Sequence, residues 1–573
     1  MKNLLYTLLS ILTLQLCCLN SWGQTTYFEV QDDVTYLVDR LQTKAQQLNT
    51  SFTLSSQPLS RKQAIGFLKN LSDNNASESN TMNPLLNYTD QEQINKAIAT
   101  NGEWITDPSG MDAMQRSRRP FLKYFYTTTS NFYHYDDEDF FIVANPVVGI
   151  ELGKEKNEES FNFKNIRGAA IRGRIKNKVG FYTFLADNQE RPMSYILNWE
   201  DQYKSFPGYE YYRRLSNNNF DVFLGRAYID FNAINDHVNV SFGYDKQFIG
   251  NGIRSLILSD FSAPSTFLRL RSKWNKFHYE NLFMELVNQF PALGNDDRLP
   301  KKYASIHQLT WSAAPWLELS LIESTIFNYN GNFHVSNIIP IIGFQSIARS
   351  TGQHQQTNWG LQFKVIPVKK VQVYGQTLIE GLQFKSSQYP NLSNRFAAQL
   401  GIKYFDVAGI PNLDLRLEGN YISPFMYSNA SYTNYNQPLA HPMGANTVEG
   451  IIALKYAANS RFEINANAFF NRKGIDINNT NNFGGNLFKS HLPLTTSATF
   501  QWLNGNVYNG MFGQLNISYE LFPNLWIDAG GIYLQSNQVI DETLIRSSPI
   551  QIYGGLRWNI ARKQFAFKKL QKV

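Results

Sequence analysis

The sequence predicts an all-β transmembrane barrel of about eighteen antiparallel strands, preceded by a small N-terminal helical region. Three observations carry that expectation. From about Asp137 onward, apolar residues recur at every second position, which is the period of a strand. The segments with this period are joined alternately by short turns and long excursions, as in outer-membrane barrels with periplasmic turns and extracellular loops. Aromatics make up 14% of the chain, with 31 Tyr and 41 Phe, while charged residues reach only 17%, against roughly a quarter in an ordinary soluble domain. Beyond the N-terminal leader no apolar run approaches the roughly 20 residues of a membrane helix. A chain of this kind crosses a bilayer only as a closed barrel.

Residues 1–23 read as a secretory signal peptide. Lys2 supplies the basic start, Leu4 to Leu16 the apolar core, and Asn20-Ser21-Trp22-Gly23 the cleavage zone. Cys17 and Cys18 are the 2 cysteines of the chain and both lie in that leader. The exported part therefore has no disulfide framework and no thiolate chemistry. A formal net charge of +7 over 573 residues, without a long basic run, argues against nucleic acid as a partner.

Residues 24–130 form the expected periplasmic helical region. Val34, Leu37, Val38 and Leu41 recur at helical spacing, as do Ala64, Phe67, Leu68 and Leu71 after the cap candidate Ser60. A third segment starts at Thr89, with Glu92 completing a capping box, and runs through Ile94 and Ala97. The polar stretch 72–83 joins the last two. The region fits either a small soluble domain or a plug for the barrel that follows.

Residues 131–561 form the barrel, with strands expected near 138–154, 160–175, 178–187, 219–231, 237–248, 265–274, 277–289, 303–312, 316–328, 357–366, 370–384, 394–405, 412–423, 447–457, 461–472, 508–520, 525–537 and 549–561. The alternation is plain where Leu413, Leu415, Leu417 and Tyr421 face one way and Asp414, Arg416, Glu418 and Asn420 the other. The long excursions are 187–218, 249–264, 290–302, 329–356, 424–446 and 473–508. An even strand number returns the chain to the side of the helical region. Trp274, Trp311, Tyr456 and Trp558, near strand ends, fit interfacial girdles and would serve equally as packing. A basic tail, 562–573, follows the last strand. The expected location is the cell outer membrane, in contact with its lipid and lipopolysaccharide.

Three groups are candidate binding residues. Arg172 and Arg174 on the second strand, with Arg269, Arg271 and Lys273 on the sixth, point into the lumen if the intervening Ile and Leu residues face lipid. Guanidinium clusters bind carboxylates and phosphates in bidentate fashion; the same cations would knit the interior if paired with Glu318, Asp414 or Glu418. In the 249–264 excursion Gly250 and Gly252 free the backbone, and Arg254 and Asp260 could reach a ligand, or the loop could fold inward on Ile253, Leu256 and Leu258. The stretch 195–218 carries Trp199, Tyr203, Phe206, Tyr209, Tyr211 and Tyr212, fit to stack on sugar rings or on each other. For catalysis there is no HExxH pair, GxSxG elbow or P-loop, and the 8 histidines are scattered. The expectation is a non-enzymatic protein with no cofactor and no metal.

Gln247, Gly250-Asn251-Gly252, Ser255-Leu256-Ile257-Leu258-Ser259 and Pro264 resemble the hallmark of the capsule assembly Wzi family. Phe248 and Ile249 stand where that family tends to place tryptophans. The resemblance implies an eighteen-stranded outer-membrane barrel with a periplasmic helical bundle, holding surface polysaccharide. The segment from Pro438 to Asn446 also resembles the Bacteroidetes branch that includes the gliding-motility protein RemB, which implies a link to adhesion or to gliding machinery. A porin and an accessory subunit of a secretion or gliding complex are the alternatives.

Overall fold

The structure, a computed structural model, describes residues 25–77, 85–105, 116–137, 139–176, 178–234, 237–288, 299–327, 333–348, 355–381, 395–428, 430–476, 481–490, 502–540 and 543–561. The segments expected to be a leader, 1–23, and a basic tail, 562–573, lie outside the described residues.

Eighteen antiparallel strands close into one barrel. In chain order they are β1 (Phe140–Glu155), β2 (Phe161–Ile175), β3 (Val179–Arg191), β4 (Phe220–Ile234), β5 (Val238–Asp245), β6 (Ser265–Trp274), β7 (Phe277–Val287), β8 (Lys301–Ala314) and β9 (Leu317–Phe327). They continue as β10 (Gln355–Val368), β11 (Val371–Gly381), β12 (Arg395–Tyr404), β13 (Leu413–Ile422), β14 (Thr447–Asn459), β15 (Phe462–Ile475), β16 (Asn506–Phe522), β17 (Leu525–Ile540) and β18 (Ile550–Trp558). β18 closes on β1, from Gln551 opposite Glu155 to Trp558 opposite Val148. Closure leaves no free edge of backbone donors and acceptors.

Each predicted strand is present. The fifth is shorter than expected, because the chain leaves the wall after Asp245 and Phe248–Ile249 pairs with Ser56–Gln57 of the N-terminal segment instead. The last ends at Trp558, where Asn559 adopts a positive φ and its N–H bonds to the Asn524 carbonyl.

The wall is inverted relative to a soluble sheet. On β12 and β13, Leu400, Ile402 and Leu417 are exposed, while Gln399, Lys403, Asp414, Glu418 and Asn420 are buried. An apolar outside around a polar inside belongs in lipid. Trp274, Phe277, Trp311 and Trp316 lie exposed beside the tight turns 275–276 and 315–316, where an interfacial aromatic belt is expected. Among the described residues no helix is long and apolar enough to cross a membrane.

The N-terminal segment carries α1 (Asp33–Ala45), α2 (Arg61–Ser77) and α3 (Tyr88–Asn101). α2 includes 72–77, part of the stretch expected to be a linker. α3 is capped by Asn87, not Thr89: the Asn87 side chain accepts from the Asp90 N–H and the Asp90 carboxylate accepts from the Asn87 N–H. Asp90 thus takes the place assigned to Glu92. The segment has its own core, including Leu37, Leu41, Ile65, Leu68 and Ile94. It is also seated on the barrel at the short-turn end. The Leu48 N–H bonds to the Pro315 carbonyl, the Lys370 N–H bonds to the Thr43 carbonyl, and Thr43 meets Gln372 on the inner wall.

Candidate functional site

The excursion between β5 and β6 folds inward and is held by polar side chains of the opposite wall. Glu418 on β13 accepts the Ile253 N–H at 2.7 Å on one oxygen and the Arg254 N–H at 3.1 Å on the other. Gln376 on β11 accepts the Leu256 N–H at 2.7 Å and donates to the Ile249 carbonyl at 3.1 Å. Gln399 donates to the Arg254 carbonyl at 3.0 Å. Gly252 is a glycine for a steric reason: a Cβ there would collide with the Glu418 carboxylate. Ser255 folds the loop on itself, donating to the Ile249 carbonyl and accepting the Ile257 and Leu258 N–H groups. Gly250 donates its N–H to the Ser55 carbonyl, and Asn251 is buried beside it. Asp260 accepts from the Lys246 ammonium through its backbone carbonyl at 2.9 Å.

A second excursion, 423–446, lies over the first. Ser259 donates to the Leu439 and Ala440 carbonyls, and Tyr427 donates its hydroxyl to the Leu256 carbonyl. Asn434 reaches the Ala263 and Pro264 carbonyls. Lys302 and Lys473 rise from the wall to the Ala430 and Met443 carbonyls. Beneath them Arg254 makes a two-point contact with Glu449, at 3.0 Å on each oxygen. His441 meets the same carboxylate at 2.8 Å through Nε2, while its Nδ1 accepts the Met443 N–H, which places the imidazole proton on Nε2. Tyr27 of the N-terminal segment, Ile249, Leu256 to Leu258, Tyr427, Tyr432 and Leu439 share one buried cluster. Three separate stretches of chain therefore fill the lumen.

The lumenal cations are inward, but their partners are not the acids the sequence pointed to. Arg271 pairs with Glu280 at 2.6 Å and Arg172 with Glu103 at 2.6 Å. Arg269 is fully buried, donates to Gln247 at 2.8 Å and lies 4.4 Å over the Tyr27 ring. Its Nε and Nη2 have no partner among the described residues. Arg174 lies 5.2 Å over Phe141. Glu318 receives the Ser55 hydroxyl, and Asp414 pairs with Arg40 at 3.0 Å. These pairings correct the expected ones, because residues on the N-terminal segment and on adjacent strands arrive first.

Arg40 is the centre of a buried ionic seat. It contacts Asp90, Asp406 and Asp414, and Lys44 contacts Asp90 and Asp406. Burial lowers the Arg40 pKa, yet Asp414, Asp90 and Asp406 together hold it above its ordinary value. Burial likewise raises that of Asp406, but Arg40, the Asn412 N–H and Lys44 bring it down to about 2. Lys403 pairs with Asp39 at 2.6 Å.

At the long-loop end, the stretch expected to be an irregular aromatic loop contains the helix α4 (Ser194–Tyr203). Tyr195, Ile196 and Trp199 share its buried face. Trp199 donates to Ser205 at 3.1 Å and packs on Tyr203 and Phe261. Trp199 and Tyr209 are buried, Tyr203 is half-buried and Tyr211 is 66% exposed. Tyr203, Trp199, Phe488 and Lys473 line a small cavity. Glu418, Glu449, Gln376 and Gln399 are the holding residues that the sequence reading missed as a set. Their inward position follows from strand alternation, but their aim at one loop does not.

No protein-family model matches the chain, and no curated protein matches it in sequence. Solved structures do. Wzi of Escherichia coli, an outer membrane protein involved in group 1 capsule assembly and a carbohydrate binding β-barrel, aligns over 94% of this chain and 100% of its own, at 16% identity and a TM-score of 0.54. OprD of Pseudomonas aeruginosa aligns over 75% of this chain and 97% of its own, at 9% identity and a TM-score of 0.41. OccAB3 of Acinetobacter baumannii aligns over 73% and 98%, at 11% identity and a TM-score of 0.39. The likeness to Wzi is one of fold: this chain forms an eighteen-stranded β-barrel with the fold seen in that protein.

Proposed function

We propose that this protein is a non-enzymatic outer-membrane barrel that binds surface polysaccharide, with its long loops outward and the N-terminal helices on the periplasmic side. The observation that carries this reading is the filled lumen. A diffusion channel needs a continuous water path, whereas here the N-terminal segment and the excursions 246–264 and 423–446 interlock through buried contacts. The work of the molecule then falls to its loop face. The Wzi fold and the 247–264 motif support a saccharide as what that face meets, and the half-exposed Tyr203 and exposed Tyr211 supply ring faces for it. The 438–446 segment is almost wholly buried, which favours a packing role there over a surface for gliding or secretion partners.

Two measurements test this. In planar bilayers the purified protein should show little steady current, and a stable ohmic conductance overturns the reading. In cells, loss of the protein, or Tyr203→Ser with Tyr211→Ser, should release polysaccharide into the medium. Unchanged retention overturns it.

A further inference from the structure

The short-turn end holds a cavity that the loop-face reading does not use. It lies between the N-terminal stretch 49–70 and the inner faces of β4 to β8, with a volume of about 410 Å³, inside the range of about 300–1,000 Å³ typical of small-ligand sites. Ser51, Gln63, Asn70 and His237 at its edge are exposed, so it is reached from solvent at that end.

Its chemistry is specific. Hydroxyl and amide side chains dominate the wall, and Phe67, packed edge-on against Phe52 at 6.0 Å, supplies an aromatic border. Arg271 and Lys273 face one carboxylate, Glu280, which is already taken by Arg271 and Ser56. The balance is positive. Gln308, 2% exposed, donates its amide N–H to Thr310 at 3.0 Å and toward Ser320. Its Oε1 is buried without a hydrogen-bond partner among the described residues. Native interiors rarely leave such an acceptor unmet. The site thus offers an acceptor for a hydroxyl, donors around it, a ring edge and excess positive charge.

We propose that this cavity binds a carboxylate-bearing saccharide entering from the short-turn end. The inference rests on the glycan-binding reading for where the ligand comes from. Two sources share the chemistry: a uronate-containing surface polysaccharide, and cell-wall glycan freed of its stem peptides, in which the muramic acid carboxylate is no longer in amide linkage.

The test is calorimetric titration of the purified full chain in detergent. The probes are a glucuronate-bearing hyaluronan tetrasaccharide, the N-acetylglucosaminyl-N-acetylmuramic acid disaccharide, and neutral chitotetraose. At least one acidic saccharide should bind about tenfold or more tighter than the neutral one, and which one binds identifies the source. Gln308→Leu should weaken that binding about tenfold by removing the hydroxyl acceptor. The partly exposed Lys273→Glu should do the same without disturbing the core, and heat-modifiable gel migration shows that each variant is folded. Tyr211→Ser should leave the titration unchanged. No acidic binding, equal binding of chitotetraose, or full affinity in both Gln308→Leu and Lys273→Glu overturns the proposal. If Tyr211→Ser alone abolishes binding, the loop-face reading stands and this cavity falls. If cells retain polysaccharide regardless of Tyr203 and Tyr211 while the cavity variants lose binding, the reverse holds.

Discussion

The N-terminal seat and the in-folded 246–264 loop both occupy the lumen, yet they are held by different physics. The seat is a set of buried side-chain ion pairs, Arg40 and Lys44 against Asp90, Asp406 and Asp414, with Lys403 against Asp39. The loop is held mostly through its own backbone, its N–H and carbonyl groups meeting Glu418, Gln376 and Gln399. A seat made of charges fails when one partner is removed, because the others stay buried and uncompensated. A loop held through its backbone fails in steps, one wall residue at a time.

The largest expected effect therefore falls on the seat. Arg40→Leu leaves three aspartates facing Lys44 and Lys370, and breaking a buried pair from one side costs about 3–5 kcal/mol. The barrel, closed by its own hydrogen bonds, should survive. Limited trypsin digestion should then cut within 25–105 while the strands persist as a folded band. Resistance equal to that of the parent would show that the seat is held by apolar packing and the comparison is wrong.

This contrast also explains what was legible in the sequence. The strands could be read because alternation is local, and Leu417 beside Glu418 suffices to say which side is wet. The loop motif could be read because Gly252 and Ser255 act on neighbours a few residues away. The seat could not be read: Arg40 and Asp414 lie 374 positions apart, and nothing local tells Arg40 which carboxylate it will meet. The same blindness led to Glu318, Asp414 and Glu418 as partners for lumenal cations that bind Glu280 and Glu103 instead. α4 was missed for another reason. Its apolar face, Tyr195, Ile196 and Trp199, is short and sits in a polar, aromatic stretch whose composition reads as loop.

A smaller effect is expected at the loop. Glu418→Leu strands the Ile253 and Arg254 N–H groups, and a buried donor left without an acceptor costs about 1–3 kcal/mol. Glu418→Gln keeps an acceptor and should cost less. Bilayer recordings should show flickering current in the leucine variant and little in the glutamine variant. Equal, silent traces in both would mean that Gln376, Gln399 and the overlying 423–446 segment hold the loop alone.

Acid separates the two regions further. The Asp406 pKa is held at about 2 in the folded seat, below the value of about 3.9 for an unfolded aspartate. A depressed carboxylate contributes stability that is fully present above the unfolded value and is lost as pH falls through the folded one. Amide exchange in α1, corrected for intrinsic rate, should accelerate between pH 4 and pH 2. Asp406→Asn should flatten that dependence, and a flat profile in the parent would remove Asp406 from the seat's pH response.

The smallest expected effect sharpens the comparison at one residue. Asp90 is both an arm of the ionic seat and half of the Asn87 capping box, so the start of α3 links charge and backbone in one side chain. Asn87→Ala removes the acceptor for the Asp90 N–H and its amide contact with Asn412 at 2.9 Å, at a cost of about 1 kcal/mol, as for other N-cap losses. Thr89→Ala, at the position the sequence favoured, removes no cap and only trims a buried side chain, so it should cost less than Asn87→Ala. Thermal unfolding of the two variants side by side decides the matter. If Thr89→Ala costs as much as Asn87→Ala, the helix begins where its Thr-x-x-Glu pattern says, and Asp90 acts in the seat through charge alone.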